Sequence, residues 1–167
     1  TLPISPAYLA FNQTQFNLKI WISEPANCRY AYTDTTYETM NSTFNCLTNI
    51  QDAELYGWPC SANLTNLINP ETNVYIKCKD QPWLPETNTS RNTMQQSHIF
   101  TLKSSSVLII TQITPNGTIR FGTEPTSATL TAYTSGGAEN GKASCEYSFT
   151  NSNFIQFFNS FSSVHTQ

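Results

Sequence analysis

Apolar and polar residues alternate with a period of two along much of the chain, the signature of half-buried β-strands. In Phe16-Asn17-Leu18-Lys19-Ile20-Trp21-Ile22-Ser23, Phe16, Leu18, Ile20 and Ile22 share one face; Asn17, Lys19 and Trp21 share the other. Residues 28–32 and 74–78 alternate likewise, and each places its cysteine, Cys28 or Cys78, on an apolar face. Further strands are expected over residues 98–103, 107–113, 118–121, 128–133 and 142–149. Turn chemistry separates them, in Glu24-Pro25-Ala26-Asn27, Asn69-Pro70-Glu71-Thr72-Asn73, Pro115-Asn116-Gly117 and the run 135–141. A sustained helical period is absent, and residues 37–44 are expected to form at most one short helical turn. The pattern predicts an all-β chain, most simply a β-sandwich.

An internal repeat refines this picture. Ala26-Asn27-Cys28-Arg29-Tyr30-Ala31-Tyr32-Thr33 aligns with Ala143-Ser144-Cys145-Glu146-Tyr147-Ser148-Phe149-Thr150 at a constant offset of 117. Without a gap, Tyr37 then falls on Phe154, Met40 on Phe157 and Phe44 on Phe161. Alternation alone does not also match an alanine, a cysteine and a threonine, so the chain reads as two related modules. The expected division is a first sandwich module over 1–105, with a stapled insertion at 46–60, and a partial second module over 106–167. The offset carries the counterpart of Cys78 past Gln167, which leaves Cys145 unpaired within the chain. Half a sandwich exposes an apolar face and open strand edges. Three readings stay open: a fragment of a longer multi-repeat protein, completion by strands of a neighbouring subunit, or one domain in which the repeat is incidental.

The strings Cys28-Arg29-Tyr30, Tyr37-Glu38-Thr39-Met40, Phe44 and Tyr75-Ile76-Lys77-Cys78-Lys79-Asp80 carry a family resemblance. They are similar to fibronectin type III-like or immunoglobulin-like modules that recur in large secreted and cell-surface proteins of uncultivated archaea and candidate-phylum bacteria. Pro115-Asn116-Gly117-Thr118-Ile119, the stretch from Thr134 to Cys145, and Phe157-Phe158-Asn159 onward to Gln167 resemble the next module of such proteins. The resemblance implies an immunoglobulin-like or fibronectin type III-like sandwich and a structural or adhesive role. It says little about activity, because the fold hosts many. The segment Cys46 to Cys60, with Tyr56-Gly57-Trp58-Pro59, departs from the compact pattern.

Composition adds the compartment. Only 8 basic and 11 acidic side chains occur in 167 residues, against 17 Asn, 17 Ser and 24 Thr. A net charge of −3 with scattered signs supplies no basic stripe for nucleic acid. The longest aliphatic run, Val107-Leu108-Ile109-Ile110, is far too short for a membrane-spanning helix. The five cysteines, Cys28, Cys46, Cys60, Cys78 and Cys145, form no Cys-x-x-Cys pair, which argues against zinc and for disulfides in an oxidising compartment. The first four allow three pairings. Alternation favours the nested one, Cys28–Cys78 around Cys46–Cys60, with inward cysteines bridging facing sheets. Sequons stand at Asn12, Asn41, Asn63, Asn88 and Asn116, close to the roughly four that chance yields here, but mostly in turn-like segments. Thr1 at the start fits an expected removal of a signal peptide.

Candidate chemistry is sparse. His98 has no acidic neighbour in sequence, His165 is expected in a polar tail, and no nucleophile elbow, phosphate loop or His-Glu-x-x-His occurs. Asp34 and Asp52 stand alone, unlike a calcium loop. No enzyme, metal or cofactor is therefore expected. Trp21 is a possible interface residue, Trp58 is expected to pin the stapled loop, and Trp83 to cap one end of the sandwich. The leading expectation is a secreted, glycosylated, self-assembling structural protein of the cell surface: a subunit of an extracellular filament, pilus-like fibre or surface layer built through β-strand contacts. The alternative is an adhesin or carbohydrate-binding module that uses exposed aromatics such as Trp21.

Overall fold

Alternation at residues 16–22 becomes a strand whose Leu18 and Ile20 are fully buried while Asn17 and Lys19 face outward. The computed structural model describes residues 5–117, 122 and 127–167; the strand expected at 118–121 lies outside the described residues. Among the described residues the chain is all-β, with one-turn 3₁₀ helices at Tyr37–Thr39 and Ile50–Asp52 and no α-helix. It divides into two compact units, residues 1–104 and 105–167.

The first unit holds β1 (Ala7–Leu9), β2 (Phe16–Ile22), β3 (Ala26–Ala31), β4 (Ser42–Thr43), β5 (Asn45–Cys46), β6 (Trp58–Leu64), β7 (Glu71–Asp80) and β8 (His98–Ser104). One sheet has the order β1-β8-β7-β3-β4, the other β2-β6-β5. Strand β1 runs parallel to β8, and every other pairing is antiparallel. Inward residues of both sheets join one core: Leu18 and Ile20 from β2, Leu64 from β6, Tyr30 from β3, Val74 and Ile76 from β7, Phe100 and Leu102 from β8. Phe16 stacks on Phe100 with ring centroids 6.0 Å apart, and Tyr30 meets Phe44 edge-on at 5.5 Å.

Disulfides join Cys28 to Cys78 and Cys46 to Cys60. Each links residues directly opposite one another on neighbouring antiparallel strands, β3 with β7 and β5 with β6. The expectation that a bridge would span facing sheets is therefore corrected. The Cys28 and Cys78 carbonyls accept from the Phe44 and Met94 amides, so the two cysteines face each other at a non-hydrogen-bonded position, where side chains approach most closely. The two ends of the 46–60 segment, β5 and β6, are paired strands of the second sheet. Cys60 is fully buried in the middle strand of the second sheet, and only the residues between Leu47 and Gly57 leave it.

The second unit holds β9 (Ile109–Thr114), β10 (Thr131–Ser135), β11 (Glu146–Tyr147), β12 (Ile155–Gln156) and β13 (Val164–Thr166), in sheets ordered β13-β10-β9 and β11-β12. Of the strand expected at 142–149, only Glu146–Tyr147 pairs as a strand, and Ala143 makes an isolated bridge to Ser162. The repeat does not carry over as register. Arg29 lies opposite Thr43, but Glu146 lies opposite Gln156 rather than Ser160, the residue the offset specifies. Neighbours explain the difference: β3 is held between β7 and β4, whereas β11 pairs with β12 alone among the described residues. Tyr37 and Phe44 are accordingly buried, and their counterparts Phe154 and Phe161 are exposed.

Loop-closure entropy orders the two staples. Cys28–Cys78 closes a separation of 50 residues and Cys46–Cys60 one of 14. Replacing Cys28 and Cys78 together by serine is expected to cost about 4 kcal/mol, and the Cys46/Cys60 pair about 3 kcal/mol. Urea denaturation of the two double variants checks that order.

Candidate assembly surface on the second unit

The β13-β10-β9 sheet has one face that is only half covered. Ala132 and Thr134 of β10 and His165 of β13 are buried on it. His165 Nδ1 lies 2.9 Å from the Asn159 carbonyl, which accepts only, so Nδ1 carries a proton. Its Nε2 lies 3.2 Å from Thr134 Oγ1, and that hydroxyl also donates to the Gly141 carbonyl at 2.6 Å. Gly141 takes a positive φ here, and a Cβ would collide with the Thr134 carbonyl. Phe157 packs against the imidazole at 6.0 Å. His165, expected in a polar tail, is instead the centre of this small core, which corrects that reading.

Among the described residues the cover stops at β9. A register shift between Tyr133 and Thr134 puts Ile113 opposite Ala132 and Ile110 opposite Thr134, so both isoleucines share the inward face. Yet Ile110 stays 57% exposed and Ile113 47%. Every residue of β9 from Ile109 to Ile113 is exposed, and Val107, Leu108, Phe158 and Phe161 add to the uncovered apolar surface. No Asp, Glu, Lys or Arg occurs in β9, β10 or β13. A neutral, β-branched segment with uncovered isoleucines has the properties of a strand that pairs with another chain.

The other expected site residues lie elsewhere. Cys145 is a half-buried free thiol, and burial pushes its pKa up, so at neutral pH it is a protonated, poor nucleophile. The Cys28, Cys46 and Cys60 sulfurs lie within 4.8 Å of one another, but all three are in disulfides and offer no thiolate to a metal. Asn12, Asn41, Asn63 and Asn116 are exposed. Asn88 is half-buried, and its side-chain oxygen accepts from the Ser90 amide at 2.9 Å. Trp83 is 68% exposed and caps nothing, whereas the Trp58 indole N–H donates to the Asn49 carbonyl within the stapled loop at 3.1 Å.

Trp21 is half-buried on the outer face of β2. Its indole N–H donates to Glu54 Oε2 at 2.6 Å, Lys19 Nζ sits 4.8 Å from the ring centroid, and Tyr56 meets the ring edge-on at 6.0 Å. Lys19 Nζ also donates to Glu54 Oε1 at 2.9 Å. Gly57 allows the turn that returns Glu54 to this position, since a Cβ there would meet the Ile22 carbonyl. Alternation indicated an outward Trp21; the loop that folds onto it has no sequence period to reveal it. Comparison of the chain with protein-family models, curated proteins and solved structures finds no match.

The Trp21 bond, with Lys19 in support, holds the Glu54 carboxyl below its usual value of 4.5. A depressed pKa means that the contact is intact above the usual value and is lost as pH falls through the lowered one. The Trp21 indole N–H resonance is expected to stay constant from neutral pH down to about 4.5, then shift at lower pH, and Glu54→Gln is expected to remove the transition. A midpoint at or above the usual value contradicts the contact.

Proposed function

We propose that the protein is an extracellular structural subunit that self-assembles into a filament or surface layer through strand contacts at β9. The observation that carries the reading is the exposure of Ile110 and Ile113 on the same sheet face that buries Ala132, Thr134 and His165. The occupant is a second copy of the chain. It brings the same neutral, β-branched strand, and a net charge of −3 in 167 residues gives copies little mutual repulsion.

An immunoglobulin-like first unit fits this role. What supports it is the strand order, β1-β8-β7-β3-β4 in one sheet and β2-β6-β5 in the other, with β3, β7 and β8 central in the larger sheet. The disulfides differ from the inter-sheet bridge of antibody domains, because each stays within its own sheet. Two staples favour an oxidising, extracellular setting, and the exposed sequon asparagines leave room for glycans.

Sedimentation velocity and negative-stain electron microscopy test the proposal. The wild-type chain is expected to form concentration-dependent oligomers, and Ile110→Lys to shift them to monomer, with the near-ultraviolet circular dichroism of the first unit unchanged. Wild-type protein that stays strictly monomeric at every concentration contradicts the reading.

A further inference from the structure

The two disulfides of the first unit lie side by side. The Cys28, Cys46 and Cys60 sulfurs are within 4.8 Å of one another, although Cys28 belongs to the β1-β8-β7-β3-β4 sheet and the other two to β2-β6-β5. Cys28 is 1% exposed and Cys60 0%, and they enter the same core from opposite sheets. Their partners Cys78 and Cys46 are only half-buried. Each bridge therefore joins a sealed sulfur to a partly accessible one, and the two sealed sulfurs are neighbours.

Access and leaving-group stability set the order in which these sulfurs can react. Cys78 lines a cavity of about 410 Å³ bordered by Glu24, Asp80 and Met94, so an external thiolate reaches the Cys28–Cys78 bridge at Cys78 rather than at Cys28. Attack there forms a bond between the external sulfur and Cys78 Sγ, breaks the Cys28–Cys78 bond and leaves the electron pair on Cys28 Sγ. Burial makes a thiolate at Cys28 costly, and the Cys46–Cys60 bond lies within 4.8 Å of it. Freed from Cys78, the Cys28 side chain turns about χ1 into line with that bond. Attack on Cys60 Sγ forms Cys28–Cys60, breaks Cys46–Cys60 and passes the electron pair to Cys46, where partial exposure favours the thiolate. Attack on Cys46 would instead expel the fully buried Cys60, the poorer leaving group. One thiolate and two disulfides give one mixed disulfide, one new disulfide and one thiolate, with no net oxidation or reduction.

We infer that the two bridges are an exchangeable pair: a thiol entering at Cys78 converts two staples within the sheets into one bridge between them, Cys28–Cys60, with Cys46 as the released thiol. The exchanged form no longer fixes β3 against β7 or β5 against β6 covalently, and it ties one sheet to the other instead. All four cysteines lie in the first unit, so the exchange stands or falls independently of assembly through β9.

Disulfide mapping of the folded full chain tests it, in a Cys145→Ser background that removes the fifth thiol. The protein is incubated without denaturant with 2-mercaptoethanol at mildly alkaline pH, then quenched with acid, alkylated and digested for mass spectrometry. A neutral thiol is used because Glu24 and Asp80 at the cavity repel an anionic one. The expected product is a peptide pair linked through Cys28 and Cys60, with mercaptoethanol on Cys78 and the alkyl label on Cys46. Cys78→Ser, which leaves Cys28 without its partner from the start, is expected to form the same link with no added thiol, the label shifting from Cys28 to Cys46. Three results overturn the inference: native links beside fully reduced cysteines alone, a Cys28–Cys46 link in place of Cys28–Cys60, or a folded Cys78→Ser that keeps Cys46–Cys60 with Cys28 labelled.

Discussion

Two sulfur bridges meet inside the first unit, one from each sheet, with the Cys28, Cys46 and Cys60 sulfurs within 4.8 Å of one another. Because each bridge joins directly opposed residues, it fixes strand register covalently. A slip of one position would turn every side chain of a strand to the other face. With Cys28 tied to Cys78, Arg29 must stand opposite Lys77 and Asn27 opposite Lys79. The inward face then closes as an apolar core, and the outward face becomes the basic surface that Tyr37 and the β7–β8 connection cover. Core and charged face follow from one constraint.

The second unit has no such constraint. Among the described residues its sheets are of three and two strands, its one cysteine is a free thiol, and its buried set is little more than Ala132, Thr134, Ala143, Phe157 and His165. Small sheets with one half-covered face are marginal by themselves. Apolar side chains that a larger unit would enclose therefore remain at β9 and around Phe158. The contrast between the units is one of cover: two staples and a shared core enclose the first, whereas the described residues of the second leave apolar side chains exposed.

Sequence made part of this legible. Alternation marked β2, β3, β7 and β8, because each has one face in the core and one face outward. It showed that Cys28 and Cys78 point inward, but a period along one strand does not tell which strand lies beside it, so their position in one sheet was not visible. Strand β6 was missed because Trp58-Pro59-Cys60 carries turn chemistry; Pro59 sits near the start of the strand, where a missing N–H is tolerated. Strands β4 and β5 are two residues each and have no period to read. The exposed isoleucines of β9 looked like an ordinary core strand, since apolar content does not reveal whether a cover exists. Arg29, Lys79, Arg91 and Glu86 are scattered in sequence and meet only through the fold of the β7–β8 connection, and no local signal announces that.

The central claim is that the first unit is complete and that the second presents β9 to another copy. Amide hydrogen exchange, read segment by segment in dilute and in concentrated protein, tests it most directly. The account predicts slow, concentration-independent exchange in β3 and β7 at the core of the first unit. It predicts fast exchange in Ile109–Thr114 when dilute, with protection appearing there as concentration rises. Exchange in β9 that does not respond to concentration, or protection that appears on the first unit instead, would contradict it.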